Sequence, residues 1–403
     1  TAVTNTSLLT LQTSDPFVDN STNGYTITQN GNPQATTFGP FDAADAGEGG
    51  LVWIKMRNDS NEHRLYDTVR GATKSLSSND EQANFTSATS LTSFNSNGFS
   101  LGGFYGVNGA NTDIASWTFR KAPKFFTCVQ YTGDGVAGRE IAHDLNATVG
   151  SIFVKRTDAT RNWAVYHRSV GATKYLALNE VNAENTATSR WNDTEPTSTV
   201  FTVGSAIDTN VSGGTYVAYL FAHNDGDGEF GPDGDADIIK CGSYTGNGST
   251  NGPEIDLGFE PQWVMIKASS RTSRWWQWDN MRGLTVDSTA GTPYLRLNTS
   301  VAEAGTANYL NPQSTGFKIR TTLSELNESG QTYIYMAIRR GPLAPPEDAT
   351  EVFEVFETTN TGTASTIGSM GPSDFILNKR TDASQTWRTL DRLRGGSMLR
   401  TDS

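Results

Sequence analysis

Short apolar runs alternate with polar, glycine-bearing stretches along the chain, and four of the runs end in lysine. They are Leu51-Val52-Trp53-Ile54-Lys55, Ile152-Phe153-Val154-Lys155, Val264-Met265-Ile266-Lys267 and Phe375-Ile376-Leu377-Asn378-Lys379. Apolar runs this short, bounded by turn residues, predict strands and not helices. The lysines stand 100, 112 and 112 residues apart, which predicts a repeated module.

Positions downstream keep the register. Twelve residues past each lysine comes Asp67, His167, Asp279 or Asp391, and fifteen past it Arg70, Val170, Arg282 or Arg394, each followed by a glycine: Gly71, Gly171, Gly283 or Gly395. Eight past it stand His63, Trp163, Trp275 and Trp387. Gly71-Ala72-Thr73-Lys74 recurs from Gly171 to Lys174, and Lys155-Arg156-Thr157-Asp158-Ala159 recurs from Lys379 to Ala383. Each complete module closes on an alternating strand, Ile114 to Phe119, Tyr216 to Phe221 or Tyr333 to Ile338, where a period of two predicts one buried face.

The expected fold class is therefore all-β, with tandem β-sandwich or jelly-roll-like modules in an elongated chain. The boundaries read as an N-terminal strand segment over 1–47, a first module over 48–122, a second over 123–224, an acidic linker and third module over 225–341, and a Pro-rich linker with a partial fourth module over 342–403. Linkers are expected from Asp225 to Asp237 and from Gly341 to Pro346, where Pro and Gly end regular structure. A length of 403 residues suits several small cores better than one.

Composition narrows the function. Charged residues make up 18% of the chain, Gly fills 40 positions and the net charge is −12. No run of Lys or Arg forms a basic patch, so nucleic acid is not expected as a partner. No apolar run reaches the roughly 20 residues of a membrane span, so no membrane insertion is expected. The polar opening Thr1 to Ser7, without an initiator Met or signal-peptide pattern, fits a soluble, processed chain. Cys128 and Cys241 occupy equivalent strand positions, because Cys128 to Gly135 matches Cys241 to Gly248 at a shift of 113. A disulfide between them is not expected.

Three clusters are candidates for chemistry. Asp225, Asp227 and Glu229 followed by Asp233, Asp235 and Asp237 alternate with glycines, a pattern that can gather oxygen ligands around a structural Ca²⁺; the EF-hand spacing fails at Phe230 and Ala236. Glu140, His143 and Asp144 lie within five residues, close enough for proton transfer. The matching stretch of the next module, Glu254 to Leu257, has no His, which favours a turn motif, and no catalytic residue is assigned. Trp275, Trp276 and Trp278 with Arg271, Arg274 and Arg282 form the densest aromatic and basic cluster. With Trp191, these indoles are the candidates for stacking on sugar rings or anchoring a protein interface. Trp275 shares its slot with Trp163 and Trp387 and so reads as core, whereas Trp276 points opposite to its neighbours on a strand. The Asp and Arg three residues apart are spaced to pair across a tight turn, a pair worth little if exposed.

The chain resembles the large repetitive structural proteins of marine tailed bacteriophages, cyanophages included, which are often linked to concanavalin-like lectin domains. The resemblance is carried by Phe17 to Gly24, Thr26-Ile27-Thr28, Lys155-Arg156-Thr157-Asp158 and Trp191-Asn192-Asp193-Thr194, and it runs from Asn5 to the end. It implies a non-enzymatic virion component, a tail fibre or capsid-surface fibre exposed to the outside and involved in host adsorption. Its implied partners are other virion proteins, a host receptor or glycan, and further copies of itself in a homotrimer. The segment Asn5 to Phe41 resembles the opening of a lectin-like sandwich. A carbohydrate-binding module array is the alternative expectation.

Overall fold

The computed structural model describes residues 49–95, 98–231, 233–286, 291–305, 307–341, 355–356, 374–391 and 398–400. The lectin-like segment, the prolines of the second linker and Arg394 lie outside them. What is described is nearly all β: antiparallel sheets joined by turns, with three helices of four residues each among the described residues.

Three modules share one plan. In the first, an opening strand, Gly50–Met56, lies between a second strand, Arg64–Asp67, and a closing strand, Ile114–Arg120. The second module uses Val149–Arg156, Ala164–His167 and Thr215–Ala222, and adds a leading strand, Phe126–Thr132, on the far side of the closing strand. The third uses Pro261–Ala268, Trp276–Asp279 and Thr332–Arg339 with the leading strand Ile239–Thr245. Trp53, Phe153 and Met265 therefore face Trp117, Tyr219 and Met336 across the same register.

The period-two expectation of one buried face is corrected. The opening strands are almost wholly buried, as are the closing strands of the second and third modules. Each main sheet is covered twice. One face meets the other modules, and Leu51, Trp53, Phe119, Phe153, Trp163, Phe221, Trp263, Met265 and Trp275 all join one apolar core drawn from all three. The other face of the first module, with Val52 and Ile54, has its own core with Leu91 and Phe99 of the Leu91–Asn95 and Gly98–Leu101 hairpin. That of the third, with Val264 and Ile266, packs on Ile255, Leu310 and Phe317 of a separate three-stranded sheet. A strand covered on both sides needs apolar residues at successive positions, which is why these read as runs and not as alternations.

The array is more compact than a row of modules. Phe119 of the first lies edge-on to Phe221 of the second at 5.5 Å and to Trp263 of the third at 6.1 Å, so all three meet at one point. The partial fourth module forms a sheet of Phe375–Asn378, Arg388–Asp391 and Leu399–Arg400. Its opening strand is exposed along its length.

The repeated Tyr-Thr-Gly motif acts as a latch. Tyr131 and Tyr244 stack on Tyr216 and Tyr333 at 5.1 and 5.0 Å, and their hydroxyls donate to the carbonyls of Thr209 and Leu326. Gly133 and Gly246 pass so close to the next turn that a Cβ would lie 2.2 and 2.3 Å from the carbonyl oxygens of Val211 and Glu328. Buried Asn210 and Asn327 complete the latch, the two N–H groups of each amide being shared among three acceptors across the turn.

A core drawn from three modules predicts one unfolding event. Calorimetry should give a single transition whose calorimetric and van't Hoff enthalpies agree for the three modules; separate transitions would contradict the shared core. Trp163→Ala should lower stability by about 3–5 kcal/mol and shift that whole transition.

Candidate functional site

All four candidate binding indoles are interior. Trp275 belongs to the shared core, and its Nε1 donates to the Ala177 carbonyl of the second module at 3.0 Å. Trp276 and Trp278 stack on each other at 5.8 Å in the core of the third module, with Trp276 Nε1 bonded to Glu325. Trp191 is buried edge-on to Tyr166 at 6.1 Å. Trp276 does alternate with Trp275, but its side of the strand is covered too. The expected stacking platform is thus corrected: no indole of the set is open to a sugar ring or a partner. Arg271, Arg274 and Arg282 are taken by Glu328, Glu325 and Asp279.

The acidic loop is held by its own surroundings. Asp237 accepts the N–H groups of Gly226 and Gly228 and lies 3.6 Å from Lys240, which is equally close to Asp225. Asp227 accepts from the Asp225 N–H, and Glu229 pairs with Lys124. Asp233 and Asp235 are exposed. Among the described residues no three potential ligands converge on one point. The Glu140, His143 and Asp144 set does not assemble either: Glu140 is exposed, His143 stacks on Phe201, and Asp144 is held by Lys121 and Thr127. Cys128 and Cys241 are free and buried, and burial pushes the Cys128 thiol up to about 12 and Cys241 higher still.

The residues in fixed slots of the repeat are brought together instead, at the seams between modules. The second strands pair in register with Leu76, Leu176 and Leu295, which makes Ser77, Ala177 and Arg296 equivalent. Trp163 donates to the Ser77 carbonyl at 2.8 Å, Trp275 to that of Ala177 at 3.0 Å, and His63 Nε2 lies 3.2 Å from that of Arg296. Second reaches first, third reaches second, and first reaches third. Backbone bonds repeat the cycle in the opposite sense: Asn84 N–H to Thr157, Glu184 to Ser269 and Glu303 to Arg57, at 2.9, 2.8 and 2.7 Å. The three modules form a closed ring with pseudo-threefold symmetry.

The Asp and Arg slot supplies a third set of joints. Asp67 Oδ2 accepts from Arg70 Nε and from the Tyr219 hydroxyl of the second module. Asp279 Oδ2 accepts from Arg282 Nε and from Trp117 Nε1 of the first. For the second module the residue that the register equates with Tyr219 and Trp117 is Met336 of the third, which has no proton to donate. There the slot holds His167, whose Nε2 lies 3.1 Å from the Tyr335 carbonyl, and no guanidinium stands at Val170. The identity at the slot follows the chemistry of the neighbour that fills it. These Asp–Arg pairs form as their spacing predicts and are buried at both ends, so the small value of an exposed pair does not apply to them. Burial alone would raise the Asp279 carboxyl, but the Arg282 charge and its hydrogen bonds hold it below the usual range. Gly71, Gly171 and Gly283 turn the chain behind each slot with φ of 84°, 82° and 109°, a conformation that favours glycine.

The strand-ending lysines are buried as well. Lys155 donates to the Glu81 carbonyl of the first module and Lys267 to the Val181 carbonyl of the second. Lys55 bonds the carbonyls of Met56 and Asp59 within its own turn. Burial lowers Lys55 and Lys155 to about 8 and Lys267 to about 7. Sequence reasoning found these slots and missed their purpose, although the departure of His167 and Val170 from the pattern was a visible signal.

The arrangement defines an all-β protein whose repeats complete one another in a ring. By sequence the chain belongs to the family described as Domain of unknown function (DUF7483), which it matches over residues 44–342, a span that holds all three complete modules. No curated protein and no solved structure matched it.

The buried histidines carry a pH dependence. His63 Nδ1 accepts the Trp53 indole N–H at 2.9 Å and His167 Nδ1 the Ser169 N–H at 3.2 Å, so protonation at Nδ1 breaks a bond. Burial is the first cause that lowers His63 to about 3 and His167 to about 4. Both folded values lie below the unfolded value near 6.5. Their contribution is therefore intact above pH ~6.5 and is lost as pH falls toward ~4, at up to about 1.4 kcal/mol per unit for each. Urea midpoints at pH ~7 and ~5 should diverge less in His63→Gln and His167→Gln than in the parent; equal divergence would remove the histidines from the account. Asp67→Ala, which strands Arg70, should cost about 3–5 kcal/mol, whereas Glu254→Ala at the exposed Lys318 pair should cost below about 1 kcal/mol, both read by urea denaturation.

Proposed function

We propose that the protein is a non-enzymatic structural component of a bacteriophage virion, part of a tail fibre or capsid-surface fibre that takes part in host adsorption. One observation carries the reading: the Asp, Arg, His and Trp side chains that the repeat keeps in fixed slots in the three modules, with Lys155 and Lys267, are used as joints between modules. A catalytic site needs such groups poised at a substrate, with a base, a nucleophile or an acid left available. Here their hydrogen-bonding capacity is spent on a rigid scaffold. Rigidity is what a particle surface demands, since the part must survive without turnover outside the cell. The resemblance to repetitive structural proteins of marine tailed phages supports the location.

Further copies of the chain are proposed as partners, along with other virion proteins and a receptor on the host. Antibodies against the recombinant chain, used in immunogold electron microscopy of purified particles, should decorate the outside of tail or capsid. Antigen confined to the soluble fraction of infected cells and absent from purified particles would overturn the proposal.

A further inference from the structure

The ring is nearly symmetric, and at one of the places where its symmetry fails there is a cavity of about 290 Å³ in the first module, lined by Arg64, Ser75, Asp80, Gln82, Asn84 and Phe85 among others. The register that equates Leu76, Leu176 and Leu295 also equates Ser75 with Tyr175 and Tyr294, and Arg64 with Ala164 and Trp276. In the third module that space is filled: Tyr294 packs on Trp276 at 4.6 Å, and the Arg296 guanidinium covers both rings. In the second, Tyr175 occupies it under Arg190 at 4.4 Å. The first module puts a serine where the other two have a tyrosine; Phe85 stands opposite it where the second module has Asn185, and the cavity lies beside this exchanged pair.

The lining restricts what could enter. Arg64 Nε is shielded from solvent and has no hydrogen-bond partner among the described residues, while its guanidinium carbon rests 5.1 Å from the Phe85 ring and 5.5 Å from Phe104. A buried donor left unpaired is unfavourable, and an oxygen brought by a ligand relieves it. Asp80 supplies a carboxylate, Gln82 an amide, and Asn84 an amide whose oxygen is already taken by Arg70, which leaves its NH₂ to donate. An anion is opposed by Asp80, a cation by Arg64, and an apolar ligand by the density of polar groups. A neutral ring bearing several hydroxyls meets all the conditions, because each hydroxyl both donates and accepts. Phe85, 41% exposed, adds an apolar wall at the surface, and the volume falls just short of the range of ligand pockets, which begins at about 300 Å³, a size that admits no more than one sugar ring.

We propose that this cavity is a saccharide-binding site for a single neutral hexose or N-acetylhexosamine unit of a glycan, with Arg64, Asp80, Gln82 and Asn84 as the polar contacts. The proposal goes beyond the structural role and does not depend on where the protein is located. The test uses the full chain on an array of neutral glycans, with the corresponding methyl glycosides in saturation-transfer NMR. Saturable binding is expected, about tenfold or more weaker in Asp80→Ala and abolished in Ser75→Tyr, which places beside the cavity the ring that the other modules carry. Should Ser75→Tyr fail to fold, Asp80→Ala on the loop decides alone. Absence of binding to any neutral sugar overturns the proposal, as does binding undiminished in the variants. Binding confined to anionic probes such as inorganic sulfate or sialylated glycans, and strengthened in Asp80→Ala, would likewise overturn it.

Discussion

The structure depends on one constraint: no module can bury its main sheet by itself. Each sheet has two apolar faces, and a single small hairpin or sheet covers only one of them. The other must be covered by the neighbours, and for three modules on one chain the solution that satisfies all three faces is a closed ring. Directional bonds then fix how the faces meet. Apolar contact supplies most of the free energy and little of the geometry, so the indole-to-carbonyl bond, the cross-seam backbone bond and the Asp, Arg or His joint set the angle at which each module meets the next.

The same constraint explains the partial fourth module. Phe375, Ile376 and Leu377 stand where Leu51, Val52 and Trp53 are wholly buried, yet all three are exposed. Here the opening strand pairs with Arg388–Asp391, and among the described residues neither a closing strand nor a neighbouring sheet covers it. The Lys379 ammonium, whose counterparts are enclosed by carbonyl groups, sits over the Trp387 ring at 5.0 Å. The residues of the opening strand and of the strand paired with it are present, and burial is what the opening strand lacks. Burial here belongs to the ring, not to the module.

The sequence made the strands, the repeat and the all-β class legible, because those depend on local patterning and on spacing. It did not make the ring legible. Trp275, Trp276 and Trp278 form a conspicuous cluster whether they point at solvent or at another sheet, and only the third dimension tells the two apart. The joints were half visible: the spacing of Asp67 to Arg70 and Asp279 to Arg282 announced a pair, but not that Tyr219 and Trp117 would arrive from other modules to complete it. The cavity was invisible for a different reason. Ser75 is an unremarkable residue until the bridge from Leu65 to Leu76 aligns it with two tyrosines whose rings it fails to supply.

The joints at the ring differ from one another, and this sets a limit on how such a protein can change. Trp53 donates to His63, the Tyr335 carbonyl is met by His167, and Tyr219 and Trp117 each donate to an aspartate. Short stretches such as Gly-Ala-Thr-Lys recur between modules, yet the modules are not interchangeable, as the removal of one of them in full would show. A shortened chain of that kind would retain every strand and most local contacts, yet its two remaining modules would present mismatched ends. The architecture is thus all or none at the level of the trio.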